Sequence, residues 1–426
     1  MVLPSLLLLL LLLPLHSNSI PTPPSQPLSI ELFNPETGKP IDPSDFQIDG
    51  NGQMPQLYDA ETGEPVDPEL LKQHQKEQQQ QQEESRKKQL DFSAITMTST
   101  YTLLDGQKLP VMGLGLYGLD PGDETYFTVR SALAHGYRLF DDTPHSLHTR
   151  KDIGAAFRDS GIPRHQIWLA SKIGLNGRTY NQTLKDITFI TKSLGVEYID
   201  LCLLESPKGG KLVERWDALN EARQQGLCDS IGVSNFDIPH LQALVDHERL
   251  LPVINQIEMH PFIFSKRKNL LEFCTKNGIL IQAYGSLFGG HEDLMTDHQV
   301  VNNAALKYHK TPAQILLRWG FQMGFHIIPK TSKEERMVEN TNIFDFQLTD
   351  KEMEEMNQMK GTLQNYWNPF TVEVDVGDVS HGKPLAEKKK TEQQQQQQQQ
   401  KKKQKQKKQK QKQKKQKQRT GGRAAA

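Results

Sequence analysis

Two adjacent acids, Asp141 and Asp142, end a short apolar run, Tyr137–Phe140, and a polar loop follows before the next helical pattern. In a parallel α/β architecture the carboxyl ends of strands face the ligand crevice. Acids at such a place are costly unless paired or functional. Other apolar runs end on chemistry-bearing residues too: Lys172, Glu205, Ser234 with Asn235, Gln256 with Glu258, Tyr284 and Lys330. Asp142 and Lys172 end neighbouring runs. A pair between them either tunes a proton donor beside it or is a plain ion pair closing the architecture. Glu205 follows Leu201–Leu204 and is either partly buried, where burial favours the protonated acid, or exposed on a loop. The stretch Lys330–Asn340 leaves a strand and enters a helix with Thr331 and Ser332 as natural caps. Lys330, Thr331 and Arg336 converge there on a helix N-terminus, which suits a phosphate. A capped surface helix with i,i+4 charge pairs is the plainer reading.

Eight strands are expected to position these groups: Tyr137–Phe140, Ile167–Ser171, Ile199–Leu204, Ser230–Ser234, Val253–Ile257, Leu280–Tyr284, His326–Pro329 and Asn342–Phe344. They are apolar throughout and alternate with helical patterns, which argues an α/β fold, a parallel (β/α)8 barrel. A β-hairpin on Asp105-Gly106 closes one end. A doubly wound open sheet is the alternative, weakened because no G-x-G-x-x-G follows the first strand.

The barrel is expected over residues 98–375, flanked by disordered extensions. Residues 1–19 resemble a secretory signal peptide, with an apolar run, Leu6–Leu13, too short to span a bilayer. No other transmembrane segment stands out. Residues 20–97 are rich in Pro and Gln and hold two copies of ETGxPxDP at an offset of 25 residues, then a Gln-rich linker. Each copy is expected to turn on its glycine, as a docking motif or as unselected drift. Residues 376–426 form a Lys/Gln-rich tail; its last forty residues carry sixteen Lys and Arg against two Glu. The formal net charge of zero therefore hides an acidic body with a basic tail. Cys202, Cys228 and Cys274 have neither disulfide-framework nor zinc spacing, and Cys202 reads as core. One sequon, Asn181-Gln182-Thr183, is usable if the chain enters the secretory pathway.

Residues from about 100 to 370 resemble the aldo/keto reductase superfamily. The resemblance is carried by LPVMGLGLY (109–117), GYRLFDDT (136–143), IWLASKI (167–173), YIDLCLL (198–204), IGVSNF (231–236), VINQIEMHP (253–261), IPKTSKEERMVEN (328–340) and IFDFQLT (343–349). It implies NADPH extended over the barrel mouth. Tyr284 then stacks on the nicotinamide, and Ser234, Asn235 and Gln256 bond its carboxamide. Lys330, Thr331 and Arg336 grip the 2′-phosphate, and Glu339 and Asn340 contact the adenine. The family's Asp–Tyr–Lys–His tetrad is only half matched. Asp142, counted back from Gly154, and Lys172 match. Leu147 stands where the family has tyrosine, Glu205 where it has histidine, and Thr149-Arg150 where it has Asn-Glu. No tyrosine lies between Tyr137 and Tyr180.

Carbonyl reduction needs a hydride for carbon and a proton for oxygen, and Leu147 supplies no proton. Glu205, His148 or His145 are candidate replacements, although His148 also reads as an exposed loop histidine. Two expectations follow. One is an NADPH-dependent oxidoreductase for a small-molecule carbonyl or activated double bond; the other is an NADPH-binding pseudoenzyme acting as a sensor or interaction protein. A monomer is expected, in the secretory pathway (or the cytoplasm if the leader is unused), with a tail that binds polyanions without specificity.

Overall fold

The computed structural model describes residues 95–143, 148–173, 177–361 and 371–382, together with the backbone of five short strands between residues 19 and 66. Eight parallel strands make one sheet: β1 (Leu114–Gly115), β2 (Leu139–Asp142), β3 (Trp168–Ile173), β4 (Ile199–Leu204), β5 (Cys228–Ser234), β6 (Ile254–Glu258), β7 (Leu280–Tyr284) and β8 (His326–Ile327). The sheet closes on itself: Gly113 and Gly115 donate their amides to the carbonyls of Ile327 and Pro329, both at 3.0 Å. Helices α1 (Asp123–Ala134), α2 (Arg150–Asp159), α3 (Tyr180–Leu194), α4 (Leu212–Gln224), α5 (Ile238–Asp246), α6 (Pro261–Lys276), α7 (Pro312–Gln322) and α8 (Glu334–Thr341) surround it. Every residue of β4 is buried, as a strand with the barrel interior on one side and helices on the other requires.

The expected barrel is therefore present, with one strand changed. Asn342–Phe344 is a turn after α8, and the eighth strand is the two-residue β1. Gly113 explains the close approach at this seam: a Cβ there would lie 2.2 Å from the Leu139 side chain. The hairpin of Thr100–Thr102 and Lys108–Pro110 turns on Gly106, whose φ of 88° only glycine adopts freely. It closes the amino-terminal end of the barrel, where the Asp105 carboxylate accepts from the Ser230 hydroxyl at 2.7 Å.

Three further expectations change. Cys202 on β4 and Cys228 on β5 form a disulfide, and only Cys274 is a free cysteine. Sequence spacing hid the pairing because the two lie on different strands. The packed chain also runs past residue 375: the carbonyls of Asp375 and Val376 accept the first amides of α4, and that of Val379 accepts from Arg249. Helix N-termini leave such amides unpaired, which is why this segment docks there. The repeats, finally, make more than isolated turns. Leu32–Phe33 pairs with Pro40–Ile41, Leu57–Asp59 pairs with Pro65–Val66, and the hairpins join through Phe33 opposite Tyr58, equivalent positions of the two copies. Ser19–Ile20 pairs in parallel with Thr100–Tyr101. Residues 1–18, the Gln-rich linker and the tail beyond Gly382 lie outside the described residues, as do His145 and Leu147. Among the described residues no helix is long and apolar enough to cross a membrane.

Candidate active site

Side chains alternate along a strand, so the two acids ending β2 point to opposite faces. Asp141 faces into the barrel and accepts from Lys172 Nζ at 2.6 Å. Asp142 faces α2, where Arg150 Nε donates to it at 2.9 Å and the Ser171 hydroxyl at 2.8 Å. The expected Asp142–Lys172 pair is thus replaced by Asp141–Lys172. Alternation along β2, which a count of residues back from Gly154 does not register, decides which acid meets Lys172. Counted from Asp141, the tyrosine position becomes Ser146; counted back from Gly154, it is Leu147. Both lie outside the described residues.

Asp142 is fully buried, and its Oδ1 has no partner among the described residues. Burial pushes its carboxyl above the usual range, opposed by the Arg150 guanidinium and the Ser171 hydroxyl. Asp142 and Arg150 thus form a buried ion pair.

Glu205 is half-buried just past β4. Its carbonyl accepts from Asn235 Nδ2 at 3.1 Å. Near its side chain lies the buried guanidinium of Arg215, which burial pulls down to about 10 while Asp375 and Glu205 act in the opposite sense. Arg215 bonds the Ser206 carbonyl, and its Nε and Nη1 have no partner among the described residues. Sequence reading missed Arg215, whose place in α4 carries no motif. His148 is exposed before α2, and no hydrogen bond ties it to the Asp141–Lys172 pair.

At the ends of β5–β7 the residues expected to hold a carboxamide lie within hydrogen-bond reach of one another. The Ser234 hydroxyl donates to the Gln256 carbonyl at 3.0 Å, and Asn235 Nδ2 also reaches Ser234 Oγ at 3.2 Å. Asn235 has φ of 61°, a left-handed conformation that asparagine tolerates better than most residues. The Tyr284 hydroxyl donates to Asn235 Oδ1 at 2.7 Å and so fixes its ring over the mouth. Gln256 Nε2 donates to Asp141 Oδ1 at 2.9 Å, joining this group to the Lys172 pair.

Across the seam, the Gly115–Lys330 bridge brings Lys330 to the barrel rim. Lys330 and Arg336 are exposed, and Thr331 and Asn340 are buried. Helix α8 is capped by Lys333, with no side-chain cap, in place of the expected Thr331 or Ser332. Thr331 Oγ1 accepts from Lys333 N at 3.0 Å, so its hydroxyl serves a turn one step before the helix. Glu339 accepts from the Thr311 hydroxyl. Sequence reading also missed Glu124 on α1. The Asp120 amide holds its carboxyl below the usual range, assisted by Ser332 and by the charge of Lys330.

Residues 111–360 match the family model of the aldo/keto reductase family. A 9,11-endoperoxide prostaglandin H2 reductase of Trypanosoma cruzi is 35% identical over 258 residues, covering 61% of this chain and 90% of that protein. A glyoxal reductase of Bacillus subtilis is 32% identical over 264 residues, 62% of this chain and 94% of that protein. Among solved structures, an aldo-keto reductase of Bombyx mori in complex with NADP superposes with a TM-score of 0.57 at 29% identity, over 62% of this chain and 93% of that one.

Proposed function

Because the chain belongs to the aldo/keto reductase family, we propose that it is an NADPH-dependent oxidoreductase acting on a carbonyl or activated double bond of a small molecule. The observation that carries this reading is the buried Asp141–Lys172 pair bonded through Gln256 to the group of Ser234, Asn235 and Tyr284. The donor set suits the cofactor from end to end. Amides and a hydroxyl meet the carboxamide, a tethered aromatic ring offers a platform, and exposed Lys330 and Arg336 present cations for phosphate. When bound, NADPH supplies a hydride to an electrophilic carbon, and the reduced group must then gain a proton. Lys172, held by Asp141, places a positive charge beside the reacting atoms, where it stabilises developing negative charge. With no tyrosine at either counted position, the proton comes from another acid. We assign this role to Glu205, which must hold its proton beside the Arg215 guanidinium to fill it.

A second reading is favoured by a specific feature, the absence of any tyrosine between Tyr137 and Tyr180. In it the chain binds NADPH and has given up carbonyl chemistry. One experiment separates the two. NADPH binding is followed by fluorescence, and NADPH oxidation is assayed against aldehydes, ketones and enones for the natural protein, Ser146→Tyr and Leu147→Tyr. Binding with turnover that Glu205→Gln abolishes supports the enzyme reading. Binding without turnover, gained by one tyrosine variant at about 10²–10⁴-fold, supports the second. Failure to bind NADPH sinks both.

The signal-like leader, the Cys202–Cys228 disulfide and the exposed Asn181 of the sequon together support entry into the secretory pathway. We assign the basic tail a non-specific attraction to polyanions; unchanged heparin retention after deletion of 387–426 overturns that assignment.

A further inference from the structure

Below the Asp141–Lys172 pair a hydrogen-bonded chain runs through the barrel interior to its floor. Gln256 Nε2 donates to Asp141 Oδ1 at 2.9 Å and to Gln282 Oε1 at 2.6 Å. Gln282 Nε2 meets His326 Nδ1 at 3.0 Å, and His326 Nε2 meets the Pro110 carbonyl of the closing hairpin at 3.0 Å. Gln256, Gln282 and His326 are all buried.

The polarity of this chain is fixed from both ends. The Pro110 carbonyl only accepts, so His326 Nε2 carries a hydrogen. A neutral imidazole then accepts at Nδ1, and Gln282 must turn its NH₂ towards it. That leaves the Gln282 carbonyl facing Gln256, which must offer NH₂ in turn. At the other end an ionised Asp141 also only accepts, and it takes the second Gln256 hydrogen. Both hydrogens of that amide are committed, and the Gln256 carbonyl is the end left for a ligand. A protonated His326 would reverse every link and set the Gln256 carbonyl against the Asp141 carboxylate. Desolvation pushes His326 down to about 3, so the neutral ring persists.

We propose that Gln282 and His326 are positioning residues for the nicotinamide carboxamide, locking the Gln256 amide so that its carbonyl accepts from the carboxamide NH₂. The inference rests on the NADPH reading above and goes beyond the residues that line the mouth, since neither positioning residue reaches the ligand.

The test uses the full chain and two probes: NADPH, and 2′,5′-ADP, which carries the adenosine phosphates without nicotinamide. His326→Val removes the chain's anchor and frees Gln256 to rotate. His326→Gln keeps its polarity, because a glutamine can donate to Pro110 and accept from Gln282. His326→Val is expected to weaken NADPH about tenfold, the scale of one buried hydrogen bond, and to leave 2′,5′-ADP within about twofold. His326→Gln is expected to restore most of the NADPH affinity. Gln282→Leu should repeat the split if His326→Val does not fold. Equal NADPH affinity in the natural and His326→Val or Gln282→Leu proteins overturns the proposal, and so does an equal loss of both probes in a folded variant. If the natural protein binds 2′,5′-ADP and not NADPH, the nicotinamide site itself is absent and the proposal falls. If it binds neither, the NADPH reading has failed first.

Discussion

On the reading proposed above, the two halves of the barrel mouth differ, one retained and the other changed. At the ends of β5–β8, Ser234, Asn235, Gln256, Tyr284, Lys330, Thr331 and Arg336 all keep the types that the family resemblance requires, and the first four form one bonded group. At the ends of β2–β4, on the same reading, Asp141 and Lys172 alone keep theirs. There the resemblance sets Glu205 against histidine and Arg150 against glutamate, and neither Ser146 nor Leu147 is tyrosine. In the proposed function, cofactor binding and proton delivery fall to different strands, so one half can change while the other stays intact.

The largest expected effect tests whether the changed half is dormant or dismantled. In whichever tyrosine variant turns over, Lys172→Met should lower turnover by at least about 10²-fold, because the restored hydroxyl needs a cation beside it to act as an acid. NADPH affinity should move little. Unchanged turnover would mean that the Asp141–Lys172 pair only closes the barrel.

Next in size is the Asp142–Arg150 pair. Arg150→Met leaves a buried carboxylate without its cation, expected to cost about 3–5 kcal/mol in urea unfolding at pH 8. Asp142→Asn combined with Arg150→Met should recover most of it. The sign with pH follows from burial, which already raises the Asp142 carboxyl. Without Arg150 it rises further, so the folded variant takes up a proton as pH falls and the unfolded chain does not. The variant should therefore lie closer to the natural protein at pH 5 than at pH 8. An Arg150→Met cost that ignores pH would show that the arginine contributes packing alone.

The disulfide spans the boundary, joining the last strand of the changed half to the first of the retained half. Its sequence separation of 26 predicts a loss of about 3.5 kcal/mol on reduction. Alkylation of the unfolded chain should label one cysteine before reduction and three after. Three labels before reduction would remove both the bridge and its support for an oxidising compartment.

Much of this was legible in the sequence, for identifiable reasons. The strands β2–β7 are near-continuous apolar runs whose carboxyl ends lie at the mouth, which located Lys172, Ser234, Gln256 and Tyr284. β1 is two residues long, with Gly115 as its second residue and Gly113 before it, too short to carry a pattern, while Ile343 and Phe344 imitate a strand by packing on the core after α8. Asp141 and Asp142 were confused because motif spacing measures the chain whereas alternation decides which side faces the barrel. Gln282 and His326 sat inside expected strands, but their meaning depends on residues tens of positions away. The disulfide was hidden for the same reason.

The smallest effect probes how finely the retained half is set. Tyr284→Phe keeps the ring and removes the hydroxyl that donates to Asn235 Oδ1. Among the described residues, the Asn235 side chain then keeps its bonds to Ser234 and to the Glu205 carbonyl. NADPH affinity should fall by about two- to tenfold, the range of one hydrogen bond, with 2′,5′-ADP unaffected. A loss of a hundredfold would mean the hydroxyl meets the ligand itself rather than holding Asn235. No loss would mean that Ser234 and the Glu205 backbone hold Asn235 unaided. In that case the two halves of the mouth are coupled through that single amide, and changes at Glu205 should be read in cofactor affinity as well as in turnover.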